Sequence, residues 1–363
     1  SKLFRKLSGA EKDLPEPIPA KREQSNTSVV YGDRFILKMF RRLQEGMNPE
    51  LEIGSFITER TSFEHVPKLA GSFRWSRGSR SATLGVMQSW IRNEGDAWRY
   101  TLDHLGDFYE HCSTVGEIPP SFSPPARHLL ELVAHELPLG PHELIGSYLA
   151  SARLLGQRTG ELHVALASDG NDPDFAPEPF TPFYRRSVYQ SMRTAADRTL
   201  TLLRERIKSL PDEIRGEGEK ILTFRSEIFG RYRFVVDQKI TALRIRCHGD
   251  YHLGQVLFTG KDFVITDFEG EPTQPLGERR AKRSPLRDVA GMLRSFEYAA
   301  LSGLRTGDFR PEQLPILKPL AHAWVFWVSV AFLESYLEAS RSGGFLPNDI
   351  EELKNLLDLY LLE

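Results

Sequence analysis

Two short stretches of the chain concentrate groups able to do chemistry: "HGDYHLGQV", residues 248–256, and "VITDFEGEP", residues 264–272. They hold four carboxylates (Asp250, Asp267, Glu269 and Glu271), two histidines, and an amide, Gln255, placed five residues after Asp250. A carboxylate beside an acceptor hydroxyl can take or orient its proton. A second carboxylate and an amide oxygen are the hard ligands that magnesium accepts. The chemistry that uses this set is phosphoryl transfer, which also needs a lysine on the phosphates and a cover over the nucleotide. Asp250 is therefore expected to be the base, and Gln255 and Asp267 the metal ligands. The order of base, amide and second aspartate carries this reading, since an acidic turn beside a hairpin would need no such order.

Certain elements must position these groups. Protein kinases place an asparagine five residues after the base aspartate, and a second aspartate at a nearby strand end grips the metal. Gln255 stands where that asparagine would be and offers the same amide oxygen, one methylene further out. "QVLFTGKDFVITDF" reads as a hairpin with Gly260 in the turn, which would hold the loop and Asp267 in fixed relation. Upstream, "FILK" puts Lys38 at a strand end, as the phosphate-binding lysine. The helix that follows, "NPELEIGSFITER", has Asn48 as N-cap and Pro49 in its first turn. It offers Glu50 and Glu52 as partners for Lys38, and Glu52 is preferred because Leu51, Phe56 and Ile57 then form the buried face. Ser25, Asn26, Thr27 and Ser28 are expected in a turn that covers phosphates through backbone N–H groups and hydroxyls. Gln88, in "VMQSWI", falls at the hinge against which a nucleotide base would sit.

The first ninety residues read as β-rich and the remainder, after "NEGDAW", as mostly helical. The expected organisation is an N-terminal segment or linker over 1–22, a nucleotide-covering lobe over 23–90, and a helical lobe with catalytic loop and acceptor site over 91–363. A chain of 363 residues with 40% hydrophobic and 26% charged residues suits a globular protein with a real core. The net charge of -2 gives no reason to expect nucleic acid or an anionic membrane as partner. Two cysteines rule out a disulfide framework and a four-cysteine zinc site, and a reducing cytoplasm is the simplest setting. No run of eighteen apolar residues suggests a membrane span. The basic run "ERRAKR", residues 278–283, reads as a solvated segment rather than a nucleic-acid site, because nothing else in the chain is strongly basic.

"HGDYHLGQVL" with "ITDFEGEP" resembles the maltokinases, and "EQSNTSVVYGDRFILKMFRRLQEGMNPELE", "NEGDAW" and "RRAKRSPLRDVAGMLRSF" look like the same family. The likeness runs from about Glu23 to the last helix, and it is especially close to the kinase portion fused behind trehalose synthase in some bacteria. It implies an α+β, bilobal, protein-kinase-like (aminoglycoside-phosphotransferase-like) fold with a small β-rich N-lobe and a large helical C-lobe. It further implies ATP and Mg2+ as cofactors, maltose as acceptor, maltose 1-phosphate for α-glucan synthesis as product, and a fused or associated trehalose synthase as partner. His252 and Glu269 become supporting residues near metal or acceptor. About twenty residues precede "KREQSNTS", where stand-alone maltokinases carry a longer cap, so the chain reads as an excised domain.

For the acceptor, Trp324, Trp327, Glu334 and Tyr336 lie on one helical segment, and Tyr336 is the preferred sugar contact because its hydroxyl needs a polar partner if buried. Arg287 and Asp288 are candidates to brace the catalytic loop. The alternatives are a kinase of the same fold for another sugar, choline or an aminoglycoside, and a non-catalytic docking module of a trehalose synthase.

Overall fold

The structure is a computed structural model that describes residues 4–5, 15–20, 26–115, 117–307 and 309–363. Its strands are β1 (Pro17–Pro19), β2 (Asn26–Tyr31), β3 (Phe35–Phe40), β4 (Leu69–Arg77), β5 (Arg80–Ser89), β6 (Gly95–Asp96), β7 (Glu178–Pro179), β8 (Leu243–Arg244), β9 (Val256–Phe258) and β10 (Phe263–Ile265). Its helices are α1 (Pro49–Arg60), α2 (Ala97–Thr114), α3 (Leu129–Leu132), α4 (Leu139–Ile145), α5 (Tyr148–Leu166), α6 (Pro182–Arg206), α7 (Asp212–Thr223), α8 (Arg225–Asp237), α9 (Leu276–Arg280), α10 (Leu286–Thr306), α11 (Leu314–Ser340) and α12 (Ile350–Leu361).

The small lobe is an antiparallel sheet in the order β1-β2-β3-β5-β4, with α1 against it. Alternation along β3 places Phe35 and Leu37 in the buried cluster on one face and Phe40 in the buried cluster on the other, while Met39 is exposed. Lys38 pairs across the sheet with Ser28 on one side and Val86 on the other. Gly85 lets β5 pass close beneath: a Cβ there would lie 2.6 Å from the Lys38 carbonyl oxygen. Helix α1 begins as its sequence demands, with the Asn48 side chain accepting from Glu50 N at 2.8 Å. The polar residues Asn26, Thr27 and Ser28 do not form a covering turn; they lie within β2, paired with β3. Sheet pairing has overridden a composition that reads as a loop. Ser25 lies outside the described residues.

The large lobe is helical around one core that includes Trp324, Trp327 and Tyr336 of α11. By length and composition α11 could cross a membrane, but 67% of its most apolar window is buried inside the lobe. The long helical pattern around residues 141–168 breaks at Gly146, whose φ is +63°, into α4 and α5. The hairpin β9–β10 forms as expected, with Val256 opposite Ile265 and Gly260 at φ +86° in its turn. Helix α10 packs directly on the loop that carries Asp250. A Cβ at Gly291 would lie 2.6 Å from the Tyr251 carbonyl, so only glycine allows that approach.

Candidate active site

The loop that carries Asp250 is anchored from below. Asp288, in the first turn of α10 and 2% exposed, accepts from His248 N at 2.7 Å and Gly249 N at 3.0 Å. His163 Nε2 donates to the same carboxylate at 3.2 Å, and the Tyr336 hydroxyl meets His163 Nδ1 at 3.1 Å. Burial alone would raise the Asp288 pKa, yet the His163 bond and the charges of His163 and His248 hold it below the usual carboxylate range. His248 Nε2 donates to the Thr266 carbonyl at 2.8 Å, which ties the loop to the hairpin strand ending at Asp267. The other strand end is tied as well, because Thr266 N donates to the Gln255 carbonyl at 2.9 Å.

Asp250 sits half-buried at the top of this framework, and desolvation raises its pKa. His252 and His248 pull that pKa down, while Glu271 and Asp267 push it up. His252 caps the short turn Leu253–Gln255 by accepting from Gly254 N at 3.1 Å, and burial lowers its pKa. Asp267 has φ +67°, the only non-glycine residue at positive φ among the described residues. Such a conformation is strained for an aspartate, and it aims the side chain into the cleft. There Asp267 is paired with Lys38 and receives the Gln255 side chain, and these contacts lower its pKa against the effect of burial.

Lys38 therefore reaches across the cleft. Besides Asp267 it meets Glu269 Oε1 at 2.9 Å, and Glu269 also accepts from the Asn26 side-chain amide. Burial would lower the Lys38 pKa, but Glu50, Asp267 and Glu269 together raise it well above the ordinary lysine value. Glu269 thus pairs with the lysine and with Asn26 of the small lobe.

Several expectations need correction. Glu52 does not face Lys38: Arg246 and Arg280 hold it at 2.8 and 2.5 Å. The helix glutamate within the lysine's field is Glu50, which is 1% exposed and accepts from Gln88 Nε2 at 2.7 Å. Gln88 is consequently not at an open hinge. Its backbone is paired with β3 and β4, and its side chain is buried on Glu50. Tyr336 is 0% exposed and ends the brace behind the loop, so it offers no face to a sugar. Trp324 and Trp327 are core residues, the latter donating to the Phe122 carbonyl at 2.7 Å. Arg287 points to Glu363 Oε2, 3.1 Å away, and leaves the bracing to Asp288. The run 278–283 is not simply solvated: Arg280 clamps Glu52, and Lys282, 7% exposed, reaches Glu178 at 2.8 Å.

Sequence reading prefers Glu52 to Glu50 as the partner of Lys38, and it misses Arg246 and His163 as organisers of the site. For Glu50 a signal existed, since residues two apart on a helix face opposite sides and only one of the two glutamates can meet the lysine. Nothing in the sequence marked Arg246 or His163, whose partners lie far along the chain.

Asp267 and the Gln255 side-chain amide offer the hard oxygens that would hold a divalent cation of the magnesium type. No cluster of three or more His, Cys, Asp or Glu residues able to hold a metal occurs among the described residues. Magnesium in such sites is bound by one or two carboxylates plus substrate phosphates, so the small donor set fits.

The fold is bilobal and aminoglycoside-phosphotransferase-like, a small antiparallel-sheet lobe beside a largely helical one, with the Lys38 strand and the β9–β10 hairpin facing one cleft. A solved glucosamine kinase in complex with glucosamine, ADP and inorganic phosphate matches with a TM-score of 0.67 at 21% identity, over 94% of this chain and 72% of that one. Two curated relatives bear the same name. The glucosamine kinase of Streptacidiphilus jiangxiensis is 24% identical over 317 residues, covering 86% of this chain and 60% of its own length. That of Mycolicibacterium smegmatis is 26% identical over 320 residues, covering 88% of this chain and 68% of its own length. The chain thus spans well under three quarters of both relatives. No family model matches it. The relatives are named for glucosamine, so the maltokinase likeness rests on the quoted motifs alone.

Proposed function

We propose that this chain is an ATP- and magnesium-dependent sugar kinase whose acceptor is glucosamine or a close amino sugar. The observation that carries the reading is the convergence of Lys38, Asp267, Gln255 and Asp250 on one cleft. In this reading Asp250 receives or orients the proton of the acceptor hydroxyl as its oxygen attacks the γ-phosphate. Lys38 would leave Asp267 for the phosphates, and Asp267 and the Gln255 amide would hold the metal, whose charge would offset that of the phosphates. Glu50 then becomes the carboxylate nearest the lysine within its own lobe.

The acceptor assignment is supported by the names of the relatives and by local charge. Glu271 and Asp267 both act on Asp250 as negative neighbours, which suits an ammonium-bearing sugar better than a neutral disaccharide. Maltose stands as the second reading on the strength of the sequence motifs. With maltose demoted, a trehalose synthase partner is no longer part of the proposal.

The test is phosphate transfer from ATP with magnesium to glucosamine, maltose, glucose and trehalose in parallel. Glucosamine should have the highest kcat/KM. A preference for maltose would restore the second reading, and absence of transfer to any sugar would sink both.

A further inference from the structure

A second cleft, of about 680 Å³ and with arginines on both walls, opens between the lobes beyond the end of β3. Its small-lobe wall carries Arg41, Arg42 and Gln44, and its large-lobe wall carries Thr273, Gln274 and Arg279. Lys38, Asp250, Gln255 and Asp267 do not line it. The one carboxylate on its wall, Glu269, is already engaged by Lys38 and Asn26.

The three arginines lack carboxylate partners among the described residues. Arg41 Nε donates to the Thr27 hydroxyl at 3.1 Å. Arg279 donates only to neutral oxygens, the Glu269 carbonyl at 3.0 Å and Gln44 Oε1 at 2.6 Å. Its Nε is buried with no acceptor among the described residues. A guanidinium held this way carries an uncompensated charge and an unused donor, and both are satisfied by an anion. Planar, forked donors on both walls match phosphate geometry, and the amides of Gln44 and Gln274 add neutral donors.

We propose that this cleft is a second anion site, beside the nucleotide site and meeting its edge at Asn26 and Glu269, that takes a phosphate group, either as inorganic phosphate or as a small phosphorylated metabolite. Because its walls belong to different lobes, an anion bridging Arg42 and Arg279 draws the lobes together. It acts on the same segment that carries Glu269, and so bears on how Lys38 is held. The cleft is an effector site by this argument, and it does not depend on which sugar is the acceptor.

The test is calorimetric titration of the full chain with inorganic phosphate and, separately, glucose 6-phosphate. Each is repeated with the nucleotide site saturated by a non-hydrolysable ATP analogue and magnesium. At least one probe should bind in both conditions at millimolar concentration or below. Arg42→Gln and Arg279→Gln should each weaken it by about tenfold, the size of one lost charge-assisted contact, with nucleotide affinity unchanged. Tighter binding of the sugar phosphate identifies a metabolite as the ligand, and equal binding identifies the phosphate group alone. Absence of binding, binding that disappears when nucleotide is present, or binding unchanged in both variants would overturn the proposal. Arg42 is exposed, so its variant keeps the test valid if Arg279→Gln fails to fold. Failure to bind nucleotide would count against the kinase reading but leave the phosphate titration readable.

Discussion

The loop around Asp250 is anchored within the helical lobe, whereas Lys38 is held by carboxylates that belong to the opposite lobe. The loop's anchor, Asp288, is buried and takes two backbone amides and a histidine, all from its own lobe. None of these contacts involves a group that nucleotide or metal would need. Lys38 instead rests on Asp267 and Glu269, while the glutamate of its own lobe, Glu50, is turned to Gln88. In the proposed reaction Lys38 and Asp267 are both claimed by ligands, so their contact must be exchanged when nucleotide binds. One half of the site is thus preorganised, and the other half keeps its charges neutralised by pairing them with each other.

The largest effect expected on this contrast is at the tip of the anchored half. Asp250→Asn should lower turnover by about 10²–10⁴-fold, the usual contribution of a general base, with binding of the magnesium nucleotide nearly intact by calorimetry. A variant that keeps more than about a tenth of its turnover removes Asp250 from that role. Next comes the anchor itself. Asp288→Ala leaves two buried amides and His163 without their acceptor, and should cost about 3–5 kcal/mol of stability. The reading is a lower denaturant midpoint at unchanged slope. An unchanged midpoint would show that the loop is held by something other than Asp288.

The exchangeable half should show itself through pH. Burial lifts Glu50 from its ordinary 4.5 to about 7, outweighing the pull of nearby Lys38. The folded protein therefore holds this proton more tightly than the unfolded chain does. That contribution to stability is complete below the unfolded pKa and is lost as pH rises through about 7. The ligand-free protein should lose on the order of 2 kcal/mol between mildly acidic and mildly alkaline pH, and Glu50→Gln should lack that slope. Equal slopes in the two proteins would place Glu50 outside the exchange.

These contrasts also explain what the sequence made legible. Asp250, Gln255 and Asp267 lie within eighteen residues and are fixed by one hairpin, so spacing alone conveys their relation. The choice between Glu50 and Glu52 depends on which side of α1 meets Gln88 and which meets Arg246 and Arg280, and those partners are remote in sequence. Tyr336 was chosen because a buried hydroxyl needs a partner. That reasoning was sound, but the partner is His163 inside the core rather than a ligand. The basic run at 278–283 looked solvated because charge reveals nothing of partners such as Glu52 and Glu178 more than a hundred residues upstream or across the lobe. Asn26 to Ser28 looked like a turn because local composition cannot weigh the pairing that β3 offers.

The smallest effect separates neighbours at the start of α10. Arg287 and Asp288 were both candidates to brace the loop, yet their side chains leave the helix in different directions. Asp288 points inward to His248 and Gly249, while Arg287 is 35% exposed and pairs with Glu363 near the chain's end. An ion pair that open to water gains little, because solvent screens it and two long side chains must be ordered to form it. Arg287→Ala should therefore cost about 0.5 kcal/mol or less, with kcat and KM for both substrates unchanged. If the variant instead loses activity by about tenfold without losing stability, the brace extends to the arginine. The anchoring of Asp250 would then reach the surface and be open to salt, rather than being confined to a buried carboxylate.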